Sequence, residues 1–105
     1  MSAVREVLVN ARELISKPEA WTKRSYARSA GGDPVVPYSP KAACWCVSGA
    51  ISISGRDITV RWAARDAILF AAGTSVMDVP TWNDAPERTH AEVLAVFDKA
   101  IEAES

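Results

Sequence analysis

Two tryptophan-centred motifs constrain this chain more than any other feature. Trp45-Cys46-Val47-Ser48-Gly49-Ala50 lies mid-chain, and Trp82-Asn83-Asp84 lies toward its C-terminal end. A tryptophan brings a large apolar area and one N–H that needs a partner once buried. The Gly49-Ala50 step removes bulk from an apolar segment, so a second element can approach its backbone closely. Asn and Asp offer side-chain oxygens to nearby backbone donors. The motifs mark where the fold is pinned and where a site would lie, but they name no reaction.

Hydrophobic periodicity supplies the frame. Val4, Val7, Leu8, Ala11, Leu14 and Ile15 form one helical stripe in a segment from Val4 to Ser16, which Pro18 ends. A second helix is expected from Ser39 as cap and Pro40 as first residue, through about Ser54, stopping near Gly55. Its stripe is Ala43, Cys46, Val47, Ala50 and Ile53, with Gly49 as the close-packing position. A third helix, capped by Asp57 or Thr59 and closed by Gly73, carries Val60, Ala63, Ala64, Ala67, Ile68 and Ala71. Trp62 and Leu69 broaden that stripe, while Arg61, Arg65 and Asp66 look outward. Thr89-His90-Ala91-Glu92 reads as a capping box opening a last helix from His90 to about Ala103. Val93, Leu94, Phe97, Ala100 and Ile101 face inward there.

Two stretches lack a helical period. Residues 19–40 hold the turn signals Gly31-Gly32 and Asp33-Pro34, which suit either a short hairpin or an ordered loop packed by Trp21 and Tyr38. Pro34, Pro37 and Pro40 limit pairing on the second arm. Residues 74–88 read as a connector whose Val76, Met77, Val79 and Trp82 lie on the body. The expectation is a mainly α fold. One compact four-helix domain spans 1–105, with an irregular or short β-hairpin insertion after helix 1.

Charge narrows the partners. Twelve Lys and Arg face thirteen Asp and Glu, for a formal net charge of −1. That balance gives no argument for nucleic acid, which wants a strongly basic face. Lys17, Lys23, Arg24 and Arg28 form a local cationic cluster, read as solvated surface rather than as an anionic docking point. No apolar run approaches the roughly 18 residues of a membrane span. The charged N-terminal stretch has no signal-peptide core, so a cytoplasmic protein is expected. Cys44 and Cys46, placed on a helix, would point about 200° apart and stay free thiols.

The order of these features resembles a known family. Ala27-Arg28 through Gly32 and Val35 follows the first tryptophan. An A-x-W-C-x-x-G-A run follows at Ala43 to Ala50, with Cys44 in the variable place. Trp82-Asn83-Asp84 and a Thr89-to-Leu94 helix start close the pattern. The chain is similar to small uncharacterised proteins from bacteria and their phages that share a domain of unknown function. The resemblance covers most of the chain. It implies a small, mostly helical fold and supplies no activity, cofactor or partner.

The sharpest catalytic candidate set is Cys46 as nucleophile, His90 as base and Asn83 or Asp84 as orienting group. Against it, Cys46 falls on the stripe of a buried helix, where a thiol is raised in pKa and inert, and several residues from the helix start. The packing role is favoured. No metal site is expected, because a helical C-x-C cannot converge on one ion. The candidate binding residues are Arg24, Tyr26 and Arg28, on one face of an extended segment, and Trp82, Asn83 and Asp84. The reading is an interaction or accessory module for a protein partner, with no cofactor. A thiol-dependent enzyme and a nucleic-acid-associated protein are the alternatives.

Overall fold

The computed structural model describes residues 2–74 and 77–104. Ser2 caps the first helix, α1 (Ala3–Leu14), its side chain accepting from the Arg5 amide. Val7, Leu8, Ala11 and Ile15 of the expected stripe are buried, and Val4 and Leu14 pack against them. Pro18 opens a short 3-10 turn, Pro18–Ala20, as expected from its fixed φ and missing N–H.

Residues 19–40 do form a hairpin. Strand β1 (Ala27–Ser29) pairs antiparallel with β2 (Pro34–Val35), in register Ala27 to Val35 and Arg28 to Pro34. The three prolines keep β2 to two residues on the sheet edge, where missing donors are tolerated. A third strand, β3 (Ala42–Trp45), pairs with the other side of β1, giving the order β2-β1-β3.

The third strand corrects the expected second helix. Ser39 caps no helix. Its carbonyl accepts from Ala42 N–H at 3.0 Å and its hydroxyl from Lys41 N–H at 3.1 Å, which makes a turn. Helix α2 (Val47–Ser54) starts only at Cys46, the N-cap, whose Sγ accepts from Gly49 N–H. Ala42–Trp45 is a short apolar run of the kind that suits strand and helix alike, and pairing with β1 decides it. The helix ends at Gly55 as expected.

Helix α3 (Ile58–Ala72) is capped by Asp57 and closed by Gly73 at φ 80, a left-handed position that favours glycine. Ala64, Ile68 and Ala71 are buried, but Trp62 does not extend the stripe: it is 61% exposed. The expected connector carries a further helix, α4 (Val79–Asp84), capped by Asp78 with Pro80 in its first turn. Val79 and Trp82 are buried as expected, whereas Met77 is exposed; Val76 lies outside the described residues. Helix α5 (His90–Ala103) begins with the capping box of Thr89 and Glu92.

The fold is therefore mostly helical, with five α-helices among the described residues, the added one being the short α4, and a small antiparallel sheet. Helix α1 packs against α2, α3 and α5, and α3 against α5. Leu8, Ile15, Val47, Ile51, Ile68 and Phe97 are fully buried at the centre. No helix of the described residues is long and apolar enough to cross a membrane.

Candidate functional site

The sheet, the start of α2 and helix α4 meet at one junction, and the two tryptophan motifs build it. Gly49 faces the Tyr26 carbonyl so closely that a Cβ would lie 2.0 Å from its oxygen. The same carbonyl accepts from Cys46 N–H at 3.2 Å. The close approach expected of the Gly-Ala step is thus made by the backbone just before β1.

Asn83 lies at the centre of the junction, fully buried. Its Oδ1 accepts from the Trp21 indole at 2.7 Å and from Val47 N–H at 3.1 Å. Its Nδ2 donates to the Thr22 carbonyl at 3.1 Å and to Asp84 Oδ1 at 3.0 Å. The amide uses both donors and two acceptor sites, so it is satisfied without water. The hydrogen-bonded indole beside Asn83 is that of Trp21. Trp82 packs in the core instead, with the Arg88 guanidinium 4.3 Å from its ring centroid. Trp82-Asn83-Asp84 acts as an anchor, as expected, but from within a helix rather than a turn.

Asp84 carries the network on from Asn83 to the segment before β1. Its Oδ1 accepts from Arg24 N–H at 2.8 Å, and Arg24 is the only described non-glycine residue at positive φ, 66°. A left-handed arginine costs about 1 kcal/mol or more and persists only when neighbours hold it. The kink breaks the extended segment expected to align Arg24, Tyr26 and Arg28. Arg28 turns inward to the carbonyls of Gly32 (2.9 Å) and Lys23 (3.3 Å), bracing the hairpin. Lys23 Nζ donates to the Ala85 carbonyl at 2.7 Å.

Arg24, Ser25, Tyr26, Cys46, Pro80 and Asp84 line a cleft of about 340 Å³. It unites Arg24, Tyr26 and Asp84 of the expected binding set with Cys46. Trp82 and Asn83 stand behind it and Arg28 outside it. His90 is not part of it: Nε2 is 2.7 Å from the Ile15 carbonyl, and the ring lies against Trp21.

Cys46 sits at a helix start, contrary to the placement several residues in. Even so, burial pushes its thiol above the ordinary range, two backbone donors of α2 pull it back only in part, and Asp84 adds to the rise. Cys44 lies on a strand rather than a helix, its Sγ 3.8 Å from the Arg28 carbonyl oxygen, and both cysteines are free. Among the described residues no three His, Cys, Asp or Glu converge on a possible metal position.

Sequence reasoning missed Arg65. It points inward, donating through Nε to Ser48 Oγ (3.1 Å) and through Nη2 to Ser52 Oγ (2.8 Å). The signal was present, since Ser48 and Ser52 share one face of α2 just as Arg61 and Arg65 share one face of α3. Tyr26 borders two further cavities with these arginines, of about 560 and 390 Å³.

Fold and site together define a small, mainly α domain with a three-stranded sheet and an open, tyrosine-bordered groove system over α2 and α3. The chain belongs to a family of unknown function (DUF6197), whose model matches residues 1–103. Comparison with curated proteins and with solved structures found no match.

Proposed function

We propose that this chain, as a single domain, is a non-enzymatic interaction module that docks a protein partner over the segment 19–40 and Asp84. The observation that carries this reading is Tyr26. Its backbone is fixed in the Gly49 notch and by the Cys46 N–H, yet the residue is 54% exposed and borders three neighbouring cavities. A rigidly held, exposed tyrosine offers contact area with little ordering cost, which suits an interface anchor. Tyr38 on the same segment is more exposed still.

The rival readings find less support. A nucleophile needs a base in reach, and His90 is engaged with Ile15 while the Cys46 thiol is desolvated. A nucleic-acid strip needs free cations, and Lys23 and Arg28 are tied to backbone carbonyls. A cytoplasmic site of action in a bacterium or phage-infected cell suits the two free thiols.

The test is affinity capture with the wild-type chain and with Tyr26→Ala and Tyr38→Ala from the cells that make it. Both substitutions leave the Tyr26 carbonyl in place, so the fold should be kept. Partners that bind wild type and are lost with both variants support the surface. Partners that remain on both variants remove it.

A further inference from the structure

Arg61 and Arg65 stand one turn apart on α3 and line the cavity of about 390 Å³ with Tyr26, Tyr38 and Ser52. Among the described residues Arg65 is bonded only to neutral hydroxyls, those of Ser48 and Ser52. Burial lowers its pKa first and the neighbouring Arg61 charge second. Arg61 Nε is buried with no hydrogen-bond partner, and neither arginine is in an ion pair among the described residues. Two adjacent guanidiniums with no ion-pair partner are costly to hold in a partly buried place.

The surroundings say which anion. Arg61 and Arg65 also line the adjoining cavity of about 560 Å³, where Asp66 and Asp78 face them, so positive charge without a facing carboxylate is confined to the 390 Å³ side rather than spread along a track. A polyanionic strand needs several phosphate contacts in a row. The exposed aromatic neighbours are Tyr38, 78% exposed, in this cavity and Trp62, 61% exposed, at the adjoining one. Arginine among exposed tyrosine and tryptophan is the composition of protein-interface hot spots.

We infer that this cavity docks an acidic segment of a protein partner, with one carboxylate between Arg61 and Arg65, one apolar neighbour on Tyr38 and another reaching Trp62 at the adjoining cavity. A guanidinium donates strong, charge-assisted hydrogen bonds to a carboxylate. The inference rests on the interaction reading above and names the chemistry of the partner.

The test uses a fluorescent peptide alternating glutamate with leucine and phenylalanine, its glutamine counterpart, and a short single-stranded oligothymidylate as competitor. Binding is followed by polarisation at low and high salt. The glutamate peptide should bind at least about tenfold tighter than the glutamine one, and Arg61→Gln should remove about tenfold. Arg61→Lys should recover part of the loss, and Trp62→Ala should weaken both peptides. Arg61→Gln should melt no lower than wild type, since it removes an unpartnered donor. If it unfolds, Trp62→Ala and the salt dependence decide. Equal binding of the two peptides, indifference to Arg61→Gln, or no binding at millimolar peptide overturns the inference. So does an oligothymidylate that binds more tightly than the glutamate peptide. Partner capture that depends on Tyr26 but ignores Arg61→Gln and salt would leave the interaction reading standing and remove only this one.

Discussion

The carbonyl oxygen of Tyr26 occupies the space that a side chain at position 49 would need: an added Cβ on Gly49 would lie 2.0 Å from it. Gly49 in mid-helix is therefore dictated by a neighbour and not by the helix itself. Gly49→Ala should gain about 1 kcal/mol of helix propensity. It should still lose at least about 2 kcal/mol overall, because the backbone before β1 must move and the Cys46 N–H bond to Tyr26 stretches. Urea unfolding measures the sum, and a variant as stable as wild type would show that the sheet does not rest on α2.

Asn83 predicts a larger loss. Asn83→Leu keeps the branched shape, in a slightly larger side chain, but leaves the Trp21 indole and the Val47 amide without their acceptor. Each buried orphan donor costs about 1–3 kcal/mol, so the variant should lose about 3 kcal/mol or more. Trp21→Phe combined with Asn83→Leu should cost less than the sum of the two single changes, since one orphan disappears with the indole. Additive losses in denaturant melts would contradict the bond.

Cys46 is both a cap and a buried thiol. Cys46→Ser should stay within about 1 kcal/mol of wild type, because a serine hydroxyl is a good N-cap for the Gly49 amide. Cys46→Val, of similar polarity but with no acceptor, should lose about 1–2 kcal/mol. A purely apolar role, as the sequence suggests, predicts the reverse order.

The same residue sets a pH response. Its thiol is raised in the folded state, chiefly by burial. The unfolded chain therefore gives up this proton first as pH rises, and the stability this group contributes is complete below the unfolded thiol range. It is lost as pH climbs through the higher folded value. Alkylation of Cys46 in the folded protein, read by peptide mass, should lag behind that of an ordinary thiol until the protein unfolds. Fast labelling near neutral pH would reveal a poised nucleophile instead.

Arg24 predicts a gain. Its left-handed backbone is held by Asp84. Arg24→Gly should raise stability by up to about 1 kcal/mol, since glycine adopts that conformation without strain. Asp84→Ala should lower it, and should lower it less when Arg24 is already glycine. Melting temperatures of the three variants check both statements.

How far the sequence carried differs by element. Helices α1, α3 and α5 were legible because stripe, cap and stop signal agree, as in Asp57 with Gly73 and Thr89 with Glu92. Helix α2 was legible at its end but not at its start. Cysteine is an uncommon cap, and Ser39-Pro40 imitated a better one while serving a turn. Strand β3 exists because β1 is beside it, a pairing no local pattern records. Helix α4 was hidden because Pro80 and Pro86 suggested a connector, although a proline in the first turn suits a helix. At the site, the anchoring role of Trp82-Asn83-Asp84 was readable from residue type. Which indole Asn83 would meet was not, because Trp21 lies 62 positions away in the chain, whereas the inward turn of Arg65 left its signal in the spacing of Ser48 and Ser52.

Asn83 also bears on how the protein comes to be made. Its amide bonds reach back 36 positions to Val47, 61 to Thr22 and 62 to Trp21. While the ribosome delivers the chain, the hairpin and α2 emerge well before the residue that ties them together, and α5 with Phe97 comes later still. Contacts of such long separation form late and slowly. The Trp21 indole and the start of α2 therefore stay uncommitted until Asn83 has been made, and the hairpin, α2 and α4 close their junction together rather than one element at a time.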